Sequence, residues 1–414
     1  MTMAVVVFED DGWEDFAPLT TLRHVSLLRW GTRTLLDSVR AMAGRDVSLW
    51  GREELAATTR EVEEVEYNAT AAGEVLFVNA RAKPDRSILQ VLERTGEFVA
   101  KSGEQVVATR LNASKMSPGV LSRTRLLKLS KGGDVLELPR SAIFRGSWEM
   151  VGSNGLAITE QAERFPDQLE LPTTSVAKGP PSNLVIHETA DVESHVFFDV
   201  RLGPVIVSEG VSLESFTRLS GPCFIGAKTK IHSGLLRGGT SIFEVCRIGG
   251  EVENSIIMPH TNKSHLGYVG DSVVGEWVNL GAGSTFSNLK NTYGNVRIES
   301  RGERMDTGMM KLGPVVGDMA KVSIGTLVYA GRSVGAASHV AGLVDRPVPS
   351  FTFYGGRGER MVELRIDSVL ETQRRMVERR GIVLTKAQES LIRAAFRTTV
   401  KERRRAHVRE GRIG

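Results

Sequence analysis

Cysteine is nearly absent from this chain: Cys223 and Cys246 are the only two among 414 residues, and neither sits in a His/Cys spacing that would hold a metal. That excludes a disulfide framework and an ordinary zinc site, and it predicts two buried, reduced thiols. Long hydrophobic runs are missing as well, since no stretch of about 18 apolar residues occurs, so no membrane span is expected. The opening MTMAVVVFED has neither a basic region nor a small-residue cleavage site, which gives a cytoplasmic expectation. A strong excess of one charge is also lacking, the formal net charge being +4. One basic cluster stands out at 401–414, with six Lys/Arg against two Glu. No aromatic or recognised binding motif accompanies it, so it reads as a solvated tail and nucleic acid is not an expected partner.

A glycine-rich turn is missing where one might be looked for. The apolar run 5–8 reads as a buried strand, yet the turn after it, "FEDDGWEDFAPLT", carries Glu9, Asp10, Asp11, Glu14 and Asp15 around a single glycine. Such a turn cannot cradle a bare phosphate with backbone N–H groups as glycine-rich loops do.

What is present follows three patterns. Over about 1–175, apolar runs such as 5–8 and 75–78 alternate with helically spaced segments such as 34–42, implying a Rossmann-like α/β domain with parallel strands. Pro, Gly, Ser and Thr then cluster at 171–186 and mark a linker. Over about 180–350 the apolar period becomes six: Val316, Val322, Val328, Val334 and Val340 are the clearest series. A period of six fits a β-solenoid whose short faces each turn one aliphatic residue inward. From 356 to 414 the pattern turns helical and basic. Val362, Ile366, Val369, Leu370, Met376 and Val377 form a stripe, Gly381 is a stop, and Thr385 with Gln388 offers a capping box. This tail is expected to cap the solenoid or to pack on a neighbouring subunit.

The stretch 262–298 breaks the hexads with Lys263, His265, Tyr268, Asp271, Asn279, Asn288 and Lys290. On neighbouring rungs these side chains can converge on one groove. An imidazole can take a proton from an amine near neutral pH, and Asn or backbone N–H groups can hold an oxyanion.

Those residues carry a resemblance. "SHLGYVGDSVVGEWVNLGAGSTFSN" resembles the left-handed β-helix acyltransferase domain of the bifunctional UDP-N-acetylglucosamine pyrophosphorylase/glucosamine-1-phosphate N-acetyltransferase family. The resemblance implies that His265 is the general base, that Tyr268 and Asn279 hold the sugar phosphate, and that Asn288 orients the substrate. Arg237 and Lys263 join the substrate-binding set, and acetyl-CoA lies between subunits of a homotrimer. One departure is that Glu253, Asn254 and Ser255 stand on the rung where the family has a phosphate-binding lysine.

"APLTTLRHVSLLRW" and "GSWEMVGSNGLAI" are likewise similar to sugar-1-phosphate nucleotidyltransferases with a shortened first domain. By that resemblance Arg23 and Arg29 contact phosphates, Asn79 and Arg81 line the sugar side, and Asp10 or Asp11 helps to bind Mg²⁺. "WGTRT" mimics a phosphate loop but follows the strand too late and is set aside.

The expected function is transfer of a nucleotidyl group from a nucleoside triphosphate to a sugar 1-phosphate, with acetyl-CoA-dependent N-acetylation of an amino sugar. Two alternatives stay open: a nucleotidyltransferase whose solenoid only trimerises it, and a non-catalytic scaffold that binds a nucleotide-sugar.

Overall fold

A computed structural model describes residues 4–129, 133–165, 171, 174–355 and 360–411. Parts of the expected linker (172 and 173) and of the expected tail (356–359 and 412–414) lie outside the described residues.

The first part of the chain runs β1 (Ala4–Phe8), α1 (Leu35–Ala43), β2 (Val47–Trp50), α2 (Ala56–Glu63), β3 (Glu74–Asn79), α3 (Arg86–Glu93), β4 (Phe98–Ser102), β5 (Gln105–Asn112), α4 (Arg123–Leu129), β6 (Asp134–Glu137) and α5 (Ser147–Gln161). Its six strands form one sheet in the order β2-β1-β3-β5-β4-β6. As the sequence implies, β1 is parallel to β2 and β3. The far half differs, because β5 is antiparallel to both β3 and β4. A tight turn over Gly103 joins β4 to β5, and a connection that short leaves room only for an antiparallel hairpin. β1 shows why its whole run is apolar: Val5 and Val7 enter one core, Val6 and Phe8 the other. A strand buried on both faces shows no polar alternation. Thr34 caps α1 by accepting from Asp37 N, and Gly44 closes it in the left-handed conformation.

Beyond Val176 short parallel strands stack into a β-solenoid. The expected hexad residues Val316, Val322, Val328, Val334 and Val340 all lie in its core, with Ile186, Ile225, Ile242, Ile257 and Val274. Cys223 and Cys246 are free and buried, and burial pushes the Cys223 thiol up to about 12.

Much of one eight-stranded solenoid face is apolar on both sides. Along "VIV" (205–207) and "CFI" (223–225) the outer residues point into the coil. The middle ones, Ile206 and Phe224, join a different cluster together with Phe243, Ile256, Met258 and Val273. That cluster is the main core of the first domain, so sheet, α5 and solenoid face share one continuous hydrophobic interior.

The tail follows an antiparallel pair, Thr352–Gly355 with Arg360–Glu363, and runs α6 (Ile366–Glu378), α7 (Lys386–Thr398) and α8 (Val400–Arg405). Val369, Leu370 and Val377 pack with Ala337 and Phe351 of the last rungs, so the helices cover their own solenoid. Both bonds of the Thr385/Gln388 capping box are present, and Thr385 Oγ1 also donates to Glu61 Oε2 of α2 at 2.8 Å. The basic segment is not simply solvated. Arg403 is buried, donates to Glu363 Oε2 and to Phe396 O at 2.7 Å, and lies over the Phe396 ring. No helix among the described residues is long and apolar enough to cross a membrane.

Candidate functional site

The acidic turn after β1 is neutralised from three directions. Glu9, fully buried, accepts from Arg52 Nε and Nη2 at 3.0 Å each and from Val25 N at 3.0 Å. Asp10 accepts from Arg81 through both oxygens, Nε at 2.8 Å and Nη2 at 2.5 Å. Its remaining lone pairs take Gly12 N at 3.0 Å and Asn79 Nδ2 at 2.9 Å. Asp15 accepts from Arg301 Nε at 2.9 Å and Nη2 at 2.8 Å, and Arg301 comes from the tip of a hairpin inserted in the solenoid. Gly12 is required for close approach, since a Cβ there would collide with the Arg81 guanidinium.

That arrangement assigns the expected first-domain residues differently from the resemblance. Asn79 and Arg81 stand at the carboxyl ends of the parallel strands, where ligands of α/β sheets bind. Their polar atoms are turned on Asp10, Val106 O, Gln105 and Phe144 O. Asp10 and Asp11 do not fit a Mg²⁺ ion as they stand. Asp10 is saturated by a buried fork–fork pair, and Asp11 is exposed, with its backbone O accepting from Arg301. Among the described residues no group of three or more His, Cys, Asp or Glu is placed to hold a metal.

Arg23 and Arg29 lie in the seam between sheet and solenoid rather than facing an open cleft. Arg23 pairs with Glu276 at 2.6 Å and Asp318 at 2.6 Å. Burial opposes its charge, but those two carboxylates raise the pKa of the guanidinium further. Arg29 pairs with Glu244 at 2.6 Å and lies over the Phe243 ring. "WGTRT" belongs to the same seam, where Gly31 N donates to Asn154 Oδ1 at 2.8 Å. Asn154 Nδ2 reaches Ser241 Oγ and Gly239 O on the solenoid, at 2.9 Å each.

On the solenoid the expected polar residues do meet across rungs. The register sets Glu251 beside Tyr268 and Glu253 beside Gly270. Tyr268 OH donates to Glu253 Oε2 at 3.0 Å and accepts from Asn288 Nδ2 at 2.9 Å. Asn288 Nδ2 also donates to Asp271 Oδ2 at 2.5 Å, and Asn254 Nδ2 donates to Asp271 Oδ1 at 2.7 Å. Burial, followed by the Glu253 bond, raises the Tyr268 phenol, which therefore stays protonated. Arg237 Nε donates to Glu251 Oε1 at 2.6 Å.

Lys263 has a positioning role. Its buried ammonium donates to Gly249 O at 2.6 Å, Gly267 O at 3.0 Å and His265 O at 3.2 Å, and burial pushes it down to about 8. It thus holds the turn that presents His265, whose ring is exposed. Asn279 is exposed too, accepting from Asn262 Nδ2 at 2.9 Å.

Residues 5–168 match the family described as "Sugar nucleotidyl transferase". The match lies within the first domain and covers less than half of the chain. The chain is also similar to two curated proteins. The "Bifunctional sugar-1-phosphate nucleotidylyltransferase/acetyltransferase" of Sulfurisphaera tokodaii is 34% identical over 157 residues, 37% of this chain and 39% of that protein. The "Bifunctional protein GlmU" of Methanocaldococcus jannaschii is 34% identical over 128 residues, 30% of this chain and 31% of that protein. The chain therefore spans less than two-fifths of the length of these relatives. A solved UDP-N-acetylglucosamine acyltransferase of Francisella novicida is matched over 55% of this chain and 90% of that one, at 12% identity and a TM-score of 0.29.

Sequence reasoning missed Arg52, Ser241 and Arg301. Each pairs with a residue far away in the chain, so no local motif marks it. A signal did exist for much of the covered solenoid face, where the strands at 205–207, 223–225, 256–257 and 273–274 are apolar at consecutive positions.

Proposed function

We propose that the chain is a bifunctional sugar-1-phosphate nucleotidyltransferase and acetyl-CoA-dependent amino-sugar N-acetyltransferase. The observation that carries the acetyl transfer is the cross-rung network Glu253–Tyr268–Asn288–Asp271–Asn254 beside an exposed His265 on a turn fixed by Lys263. In this reading the amine nitrogen attacks the thioester carbonyl of acetyl-CoA as its proton passes to the His265 ring. The C–N bond forms and the C–S bond breaks. The departing thiolate then takes the proton back from the imidazolium. Exposed Asn279 and the Tyr268–Asn288 pair position the acceptor. Carboxylates at 251, 253 and 271 act on Tyr268 and disfavour an anionic group beside it, while the amine reacts in its neutral form. His265→Ala should lower the acetyltransferase kcat by about 10²–10⁴-fold with folding intact. A full rate in that variant would remove His265 from the mechanism.

The nucleotidyl step, in-line attack of a sugar phosphate oxygen on the α-phosphorus with loss of diphosphate, rests on the similarity of residues 5–168 to the sugar nucleotidyl transferase family. Trimerisation through the solenoid is part of the proposal. Ile324, Leu327, Tyr329 and Leu343 are exposed on neighbouring rungs and would be covered by a second copy. A monomeric mass in solution would exclude it.

One observation favours a second reading of the first domain as a nucleotide-sugar-binding scaffold: the carboxylates of its loop are held by arginines rather than left open to a metal. Pyrophosphate release, assayed with sugar 1-phosphates against UTP, dTTP, GTP and CTP, separates the two readings. Release with any pair establishes the enzyme, and none with all pairs establishes the scaffold.

A further inference from the structure

Between Phe286 and Val315 the solenoid interrupts its rungs with an insertion. The insertion's antiparallel hairpin, Arg297–Ser300 with Glu303–Asp306, folds back over the side of the coil. Val296 is buried with Leu312, Ala330 and Trp148 and pins the hairpin's base. Gly331 permits that approach: its φ is +68°, and a Cβ there would strike Val296. Under the hairpin lies a cavity of about 300 Å³. Of the polar residues that the sequence singled out on the rungs, Lys290 lines it, while His265, Tyr268, Asn279 and Asn288 do not.

Its charge is one-sided. Lys290, Arg297, Arg304 and Arg332 line it with a single carboxylate, Asp306. Asp306 pairs loosely with Arg297 at 3.9 Å, and Lys290 Nζ donates to Asn295 O, which closes the loop beside the cavity. Among the described residues Arg304 and Arg332 have no carboxylate partner. Arg332 Nε is buried without a hydrogen-bond partner. Burial, followed by the charge of Arg304, lowers the pKa of the Arg332 guanidinium, and the more weakly acting carboxylates of Asp345 and Glu299 offset this only in part. Like charges held together around a cavity are unfavourable until an anion lies between them.

We propose that this cavity binds a diphosphate group, either as free pyrophosphate or as the diphosphate of a nucleotide. Four cations against one carboxylate leave a formal +3, which matches two linked phosphoryls better than one. Arginine forks suit phosphoryl oxygens in bidentate geometry. The volume sits at the lower end of small-ligand sites, roughly 300 Å³. The site does not depend on the proposed catalysis.

Calorimetric titration of the full chain with pyrophosphate, ADP and orthophosphate tests it, in wild type and in Arg304→Ala and Arg332→Gln. Arg304 is exposed on the hairpin, so an unchanged Tm is the folding control for its variant. The expected result is binding of pyrophosphate or ADP that weakens about tenfold or more in either variant, one charge-assisted hydrogen bond being lost. The tighter of the two ligands identifies the source of the diphosphate. No binding of either ligand would overturn the site, and so would equal affinity for orthophosphate. Unchanged affinity in both variants would move the binding elsewhere, including to the first domain, and would overturn it too.

Discussion

Asp10, expected from the sequence to help bind Mg²⁺, is held instead by Arg81. Its position at the end of β1, with Asn79 and Arg81 at the end of the adjacent β3, was legible as the place where such a fold works on ligands. What the sequence did not contain was the register, and it is the register that lets Asp10 and Arg81, 71 positions apart, close on one another. The glycine between the acids makes sense only once that guanidinium is placed. Asp10→Asn should cost about 3–5 kcal/mol in urea unfolding, because Arg81 would be left charged and buried. Adding Arg81→Gln should recover a large part of that loss, the signature of residues in direct contact. A loss under about 1 kcal/mol would mean that the pair does not knot the loop to the sheet.

Among elements, the hexads and the capped helix α7 were readable because each is encoded locally, by a period or by a four-residue box. The seating of α6 on the solenoid was not, because it depends on side chains of rungs far upstream. Lys321 sits in that seam. Its ammonium donates to Met319 O at 2.7 Å, Trp277 O at 3.2 Å and Met376 Sδ of α6 at 3.1 Å. Burial pushes it down to about 7, while His339 on the adjoining rung is pushed down to about 4, by burial and then by Lys321.

The linkage has a definite sign. Below pH 7 folded and unfolded states both bind the lysine proton, and the whole cost of burying the charge is present. From about 7 towards the free-lysine range the unfolded state keeps a proton that the folded state has released, so stability rises with pH. Lys321→Met should therefore flatten the stability–pH slope between pH 6 and 9 by on the order of 2 kcal/mol. Denaturant titrations of both proteins at the two pH values measure it. Parallel slopes would show that Lys321 does not titrate there.

At the scale of the molecule, the linker and the change of pattern suggested two separable bodies, and the structure joins them. Ile206, Phe224, Phe243 and Ile256 of the solenoid lie in the same cluster as Val5, Leu36 and Ile158 of the first domain. Around that cluster run the Arg23 and Arg29 ion pairs, the Asn154–Ser241 bond and the Arg301 strap on Asp15. A seam with an apolar centre and a bonded rim couples the unfolding of both sides, because separating them exposes the core of one. Calorimetry of the full chain should accordingly show a single cooperative transition. Phe224→Ala, which empties the centre of the seam, should lower it by about 3–5 kcal/mol without splitting it. A solenoid expressed from 176 onward should aggregate, since its outer face would present those aromatic and aliphatic side chains to water. Two resolved transitions, together with a soluble isolated solenoid, would mean that the halves are docked rather than fused. The acidic loop would then be set by the first domain alone.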